Sequence, residues 1–328
     1  MRAIRIDRFG GPDELRLVEI PEPTPGPGEA LVRHGAIGVN FVDTQHRAGA
    51  PYTVALPLIP GTEAAGVVAA VGPEVTEVRV GDRVAYIGMP GVYAEYAAVP
   101  AAQLVPVPNE LSLLLAAAAL LQGTTAHYLS HSTYPLGPDD TALIHAAAGG
   151  VGRLLVQFAK RREARVIAVV SSEAKAQVAQ SDGADHVIVG ARGFAGQARQ
   201  LTGGRGVDVV YDSVGQATFE ESLATLRPRG LLAAYGQASG PVPPFDIVSL
   251  AGFSRAPGNG SLFITWSSNS DYAATREELL WRAGEVFTGI LEGSLRVEVA
   301  NSFALAEAAA AHRLLEGRDV TGKLLLLP

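Results

Sequence analysis

The stretch His145 to Gly152 reads HAAAGGVG, a run of small residues between the apolar segment TALI and the segment RLLVQFAKRR. Ala147, Ala148, Gly149, Gly150, Val151 and Gly152 match the pattern G-x-G-x-x-G with alanine in its first place. Between a strand and a helix, such a run binds the pyrophosphate of a dinucleotide. Gly149 lets the backbone approach the phosphates, and Gly152 lets helix and strand pack closely. The free amides and positive dipole end of the following helix then hold the anion. Arg161 and Arg162 stand at the opposite, negative end of that helix. Tight packing alone would also account for the glycines, so the surrounding elements have to decide.

The next strand-like run, RVIAVV, leads into Ser171 and Ser172, with Lys175 a turn later. NAD sites usually place an acidic residue about 20 residues past the glycines, where it bonds the ribose 2′-hydroxyl. Hydroxyls and an ammonium instead suit a 2′-phosphate, which a carboxylate repels. Glu173 is acidic and near the right spacing, but we read it as lying past the strand end, in the first turn of a helix. NADPH is therefore the expected cofactor.

Other chemistries find little support. The chain has no cysteine, which removes thiol catalysis, disulfides and cysteine-containing zinc sites. No tyrosine has a lysine four residues later, as short-chain dehydrogenases require. GRDVTGK, 317 to 323, imitates a phosphate loop, yet Leu324 replaces the hydroxyl residue and a strand follows, so it reads as turn residues ending by coincidence in Lys323. His127 and His131 are four apart but lack a third ligand, and we read them as a solvated helix face; the remaining histidines are scattered. No metal site is expected. The net charge of -7, without a basic block, argues against a nucleic-acid partner and for small molecules.

The elements that must position these residues fall into three stretches of the 328-residue chain. From 1 to 120, EALVRHGAIGV, AAGVVAAVG, DRVAYIG and YAEYAAVP are short strands broken by Gly and Pro, a β-rich unit. From 121 to 263, TALIHAA, RVIAVV, DHVIV, VDVVYDS and GLLAAYG are continuous apolar strands, and four of the gaps between them have room for a helix. That rhythm predicts a doubly wound parallel sheet. From 264 to 328, a helix over REELLWRAGEVFTGILEG, a strand LRVEV, a helix LAEAAAAHRLLEG and a strand KLLLLP are expected to return to the first domain. The fold class is α/β. No signal core precedes this, and the longest apolar run, Leu113 to Leu121, is about half of the roughly 20 residues a membrane crossing needs. A cytoplasmic protein is expected, with no membrane partner.

Taken together, NFVDTQHRAG (40 to 49), PGTEAAGVVAAVG (60 to 72), VGDRVA (80 to 85), HAAAGGVG, VVYDSVG (209 to 215) and AHRLLEGRDVTGK (311 to 323) resemble the medium-chain dehydrogenase/reductase superfamily. The match is closest to its zinc-free quinone oxidoreductase branch, the zeta-crystallin-like enzymes. The resemblance implies a GroES-like catalytic domain completed by the C-terminal stretch, a Rossmann domain inserted into it, and a homodimer. Zinc-dependent relatives carry a cysteine in the neighbourhood of Val39 and Asn40 and a histidine at the position of Thr62, so zinc chemistry is not expected here.

By the same resemblance Asn40, Asp43 and Tyr52 surround substrate and nicotinamide, with Tyr52 bonding the carbonyl oxygen. A surface turn is the plainer reading of Tyr52, and a local cap that of Asp43. Asn40 also borders the cofactor, which Thr125, Ser213, Val214, Tyr235 and Gly236 line, while Arg318 matches a position reaching toward the 2′-phosphate. Gln45 and Gly190 stand where bacterial relatives often have tyrosines. The expected activity is transfer of hydride or electrons from NADPH to a quinone or a related electrophilic carbonyl compound. The alternatives are reduction of an enone or alkenal double bond and, from another class, a non-enzymatic nucleotide- or RNA-binding module.

Overall fold

The computed structural model describes all residues except 89 and 253–259. The chain divides into two compact units, Met1–Thr124 with Ala273–Pro328, and Thr125–Tyr272. The first begins with strands β1 (Arg2–Arg5), β2 (Arg16–Glu19) and β3 (Glu29–Val39), helix α1 (Phe41–Ala48), strands β4 (Glu63–Val71), β5 (Arg83–Ile87), β6 (Tyr96–Pro100) and β7 (Val105–Pro106), and helix α2 (Leu113–Tyr128). Helix α2 carries the chain into the second unit. Its residues Ala116–Leu120 are fully buried, as expected of a helix that is apolar all round. Among the described residues no helix is long and apolar enough to cross a membrane.

The second unit alternates strands and helices: β8 (Thr141–His145), α3 (Gly150–Arg161), β9 (Arg165–Val170), α4 (Glu173–Ser181), β10 (His186–Val189), α5 (Phe194–Leu201), β11 (Val207–Asp212), α6 (Phe219–Thr225), β12 (Leu226–Ala234), β13 (Phe263–Trp266) and α7 (Asn269–Tyr272). The strands form one parallel sheet in the order β10-β9-β8-β11-β12-β13. Numbered from β8, this is 3-2-1-4-5-6, whose strand order reverses between β8 and β11, where such sheets bind ligands. Both central strands are buried along their whole length, which explains their largely apolar sequence. Strand β13 was not expected, and it carries the second unit past residue 263. It lies at the sheet edge with Phe263 60% and Trp266 46% exposed, so it has no buried run to betray it.

The chain then returns to the first unit through α8 (Arg276–Leu291), β14 (Val299–Ala304), α9 (Ala308–Glu316) and β15 (Lys323–Leu327). The expected strand LRVEV is displaced. Pairing with β15 starts at Val299 opposite Lys323, and the paired segment is largely exposed, without apolar alternation. Strand β15 lies between β14 and β3 in the sheet β14-β15-β3-β4-β5-β7. Leu305, Ala308, Ala311, Leu324 and Leu326 share one core with Ile4, Val32, Tyr86 and Tyr93. The antiparallel register sets Leu324 opposite Val39. Lys323 is thereby delivered to the end of β3, beside Asn40.

Candidate active site

In the second unit, the chain leaves β8 through Ala146, whose φ of 48° is left-handed, a conformation costly for a residue with a Cβ. The amide of Gly149 closes this turn by donating to Ala146 O at 2.8 Å. Ala147 and Ala148 are buried beneath it. Gly149 is the N-cap of α3, which has no capping side chain, so the amides of its first turn, at Gly150, Val151 and Gly152, are not taken by one. A Cβ on Gly152 would come within 2.7 Å of Ala147 Cα, so glycine is required where the helix meets the strand. At Gly149 the nearest atom to such a Cβ is Ala146 O at 3.1 Å, a milder conflict.

On the other side of the strand-order reversal, Asp212 ends β11 and organises the loop beyond it. Its carboxylate accepts from the amides of Val214 at 2.7 Å and Gly215 at 3.1 Å and from the hydroxyls of Thr218 and Ser222. His145, at the end of β8, contacts Ser222 Oγ at 2.9 Å, and burial lowers its pKa. The loops after β11 and β12 lock together: Tyr235 N donates to Asp212 O, Ala238 N to Ser213 O and Ser239 N to Val214 O. Gly236 lies against Ser213, whose carbonyl oxygen would be 2.9 Å from a Cβ there. Ser213, Val214, Tyr235 and Gly236 are thus brought together at strand ends.

Ser171 follows β9, Ser172 holds the N-cap position of α4 without a capping bond from its side chain, and Glu173 is that helix's first residue. Lys175 Nζ donates to Ser171 Oγ at 3.1 Å, so hydroxyl and ammonium sit side by side. Thr125 is buried on α2. Gly190 has a φ of 118° and open space around it, so its backbone favours glycine. Arg318 belongs to the first unit, exposed, with a φ of 60°. His127 does not lie on a solvated face: it is fully buried and stacks on His131 at 4.1 Å, both rings meeting Phe158 edge-on. The i, i+4 spacing serves packing.

The first unit concentrates polar groups around α1. Asn40, the N-cap residue, does not cap with its side chain; its Nδ2 donates to Glu63 Oε2 at 3.0 Å and its Oδ1 accepts from Lys323 Nζ at 2.6 Å. Lys323 also pairs with Glu63 Oε2 at 2.6 Å, and Glu63 Oε1 accepts from Leu121 N. Lysine only donates, so the orientation of the Asn40 amide is determined. Lys323, which resembled a turn residue, is 1% exposed at its side chain and Glu63 is 0% exposed. A Cβ on Gly38 would fall 2.7 Å from Ala117 O and overlap the Glu63 carboxylate.

Asp43 Oδ2 accepts from the backbone N–H of Asn40 at 2.8 Å, the local cap expected of it. It does more: Oδ2 also accepts from Tyr93 Oη at 3.0 Å, and Oδ1 from Thr62 Oγ1 at 3.2 Å. Behind Tyr93 stands His312 Nε2 at 3.0 Å, then Arg47 Nη1 at 3.1 Å from His312 Nδ1, and finally Glu316, paired with Arg47 at 2.5 Å. Arginine only donates, so His312 Nδ1 accepts, Nε2 carries the hydrogen, and the tyrosine hydroxyl is left to donate to Asp43. Burial pushes the Asp43 carboxyl up to about 7, against its hydrogen bonds and the charge of Lys323. Burial, helped by Arg47, takes His312 down to about 3. Tyr52 stands apart from this network, 36% exposed with its ring edge-on to His46 at 6.3 Å.

Glu63, Tyr93, His312 and Lys323 were not singled out from sequence. Glu63 and Lys323 each open an otherwise apolar strand, and that was the available signal. Among the described residues no group of three His, Cys, Asp or Glu side chains could hold a metal. Asn40 and Thr62, an amide and a hydroxyl already bonded to protein partners, do not suit zinc.

Residues 26–109 match the alcohol dehydrogenase GroES-like domain and residues 150–280 the zinc-binding dehydrogenase family. The chain is 44% identical to a 2-haloacrylate reductase of Burkholderia sp over 98% of each chain. A mycobacterial protein solved in complex with NADPH superposes with a TM-score of 0.95 at 46% identity over 100% of both chains. Escherichia coli quinone oxidoreductase, also solved with NADPH, gives 0.95 at 39% identity over 100% of both.

Proposed function

Because the chain belongs to the medium-chain dehydrogenase/reductase superfamily, in its quinone oxidoreductase branch, we propose that it is an NADPH-dependent reductase that passes hydride or electrons to a quinone. The observation that carries this reading is the turn from Ala146 to Gly152, set at the strand-order reversal of the parallel sheet. Packing requires glycine at 152, while the uncapped amides suit a pyrophosphate. NADPH, when bound, supplies the hydride. Ser171, Ser172 and Lys175 hold its 2′-phosphate. Thr125, Ser213, Val214, Tyr235 and Gly236 line its remainder. Asn40, Asp43 and Tyr52 surround the acceptor, and Asn40, fixed by Lys323 and Glu63, is a rigid wall for it.

A quinone is suited to such a site because its reduced form is an aromatic anion that needs only orientation and a weak acid. Purified, metal-free protein should oxidise NADPH in the presence of small quinones; no turnover across several of them rejects the reading. The similarity to a 2-haloacrylate reductase favours a second reading, reduction of an activated carbon–carbon double bond. The ratio of turnover with an α,β-unsaturated carbonyl compound to that with a quinone separates the two.

We also propose a cytoplasmic homodimer joined through the edge strand β13. Phe263 and Trp266 on that strand, and Ile247 and Val248 before it, are exposed apolar side chains, and an unpaired edge is a template for a second copy. Trp266→Glu should then lower the mass in solution to that of one chain; a wild-type monomer refutes the dimer.

A further inference from the structure

The bonds around Asp43 divide its two oxygens between different tasks. Oδ2 is taken by the amide of Asn40 and the hydroxyl of Tyr93. The first is a donor by nature, and the second is made one by His312 Nε2–H behind it. A proton on Asp43 therefore resides on Oδ1, which faces the Thr62 hydroxyl at 3.2 Å. While Asp43 is ionised, Thr62 spends its hydrogen on Oδ1. Once Asp43 is protonated, Thr62 accepts from Oδ1 and its own hydrogen is released to another acceptor.

We propose that Thr62 is a catalytic residue that delivers the proton completing reduction, drawn from Asp43, with Tyr93 and His312 as positioning residues. The proposal rests on the reductase reading above. The acceptor that has taken hydride carries negative charge on oxygen. That oxygen takes the Thr62 hydrogen, Thr62 Oγ1 takes the Asp43 proton, and Asp43 is left as a carboxylate to be reprotonated from water between turnovers. The charged and titratable groups around Asp43 are Arg47 on its own helix, Tyr93, Glu63 from β4, His312 from α9 and Lys323 from β15. Glu63 is paired with Lys323 and Arg47 with Glu316, while burial keeps His312 neutral near pH 7. Asp43 is thus the member of the cluster that gains and loses a proton near neutrality.

The test combines kinetics with a titration that needs no turnover. With 1,4-benzoquinone and NADPH, Thr62→Val should lower kcat about 100-fold, in the range of general-acid catalysis, with the NADPH dissociation constant unchanged. Thr62→Ser should restore most of the rate. A Thr62→Val enzyme within twofold of an active wild type overturns the proposal. Failure of the wild type itself to turn over quinones and activated alkenes rejects the reductase reading, and Thr62 delivery with it. Separately, infrared difference spectra between acid and alkaline pH should show a protonated carboxyl titrating near 7 that is missing in Asp43→Asn. Tyr93→Phe should move that midpoint upward, because a bond to the carboxylate is lost. No such carboxyl, or a midpoint unmoved or lowered in Tyr93→Phe, overturns the storage role of Asp43 even where turnover is normal.

Discussion

The two units place polar groups in opposite ways. In the second, the candidate cofactor residues are backbone amides, small side chains and partly exposed hydroxyls at strand ends, arranged by local turns. In the first, the groups around α1 are buried polar and charged side chains drawn from α1, β4, α9 and β15 and the loops beside them. A turn can be specified by neighbours in the chain. A buried ion pair needs the entire unit assembled around it, because each charge must find its partner to offset desolvation. The contrast implies that breaking a buried charge pair of the first unit costs stability, while removing an exposed charge beside the strand ends of the second changes ligand discrimination.

The strongest challenge to that contrast is Lys323→Met, which strands Glu63 as a buried carboxylate. Unfolding by denaturant should show a loss of about 3–5 kcal/mol, and a loss under 1 kcal/mol breaks the distinction. Next comes pH. His34, bonded to Ala94 O and Tyr86 Oη, is brought by burial from 6.5 to about 4. The unfolded chain therefore binds that proton first, so the contribution is whole above 6.5 and is lost as pH falls through 4. His312 acts in the same direction. Asp43 opposes them: raised from 3.8 to about 7, its contribution is whole below 3.8 and lost as pH rises through 7. Stability should fall between pH 6.5 and 4, and His34→Gln should remove on the order of 3 kcal/mol of that slope.

In the second unit, Lys175→Ala should leave unfolding unchanged and raise KM for NADPH by about 10- to 100-fold relative to NADH, the size of a charge-assisted bond. Equal effects on both nucleotides place the 2′-phosphate elsewhere. The smallest effect is Ala146→Gly, which relieves the left-handed residue at the cost of chain entropy. A gain of about 0.5–1 kcal/mol is expected by thermal unfolding.

Legibility followed the same divide. The glycine turn, the parallel sheet and the serines after β9 lie in continuous stretches whose periodicity and composition declare them. Strand β13 escaped because its faces are exposed, and LRVEV misled because an alternating pattern was not the paired segment. His127 and His131 read as solvated because a helix spacing does not say which neighbour covers it; Phe158 does. Asn40 and Asp43 were found through motif resemblance. Glu63 and Lys323 lie 260 positions apart, so only the register of β15 on β3 could join them.

That register also orders events at the ribosome. The second unit is a contiguous stretch, Thr125–Tyr272, that can fold while synthesis continues. The first must wait for β15, so the Glu63 carboxylate emerges and lingers without its counter-ion until Lys323 has been added. A chain cut between Tyr272 and Lys323 would carry a finished parallel sheet and a first unit whose Glu63 carboxylate has lost its counter-ion.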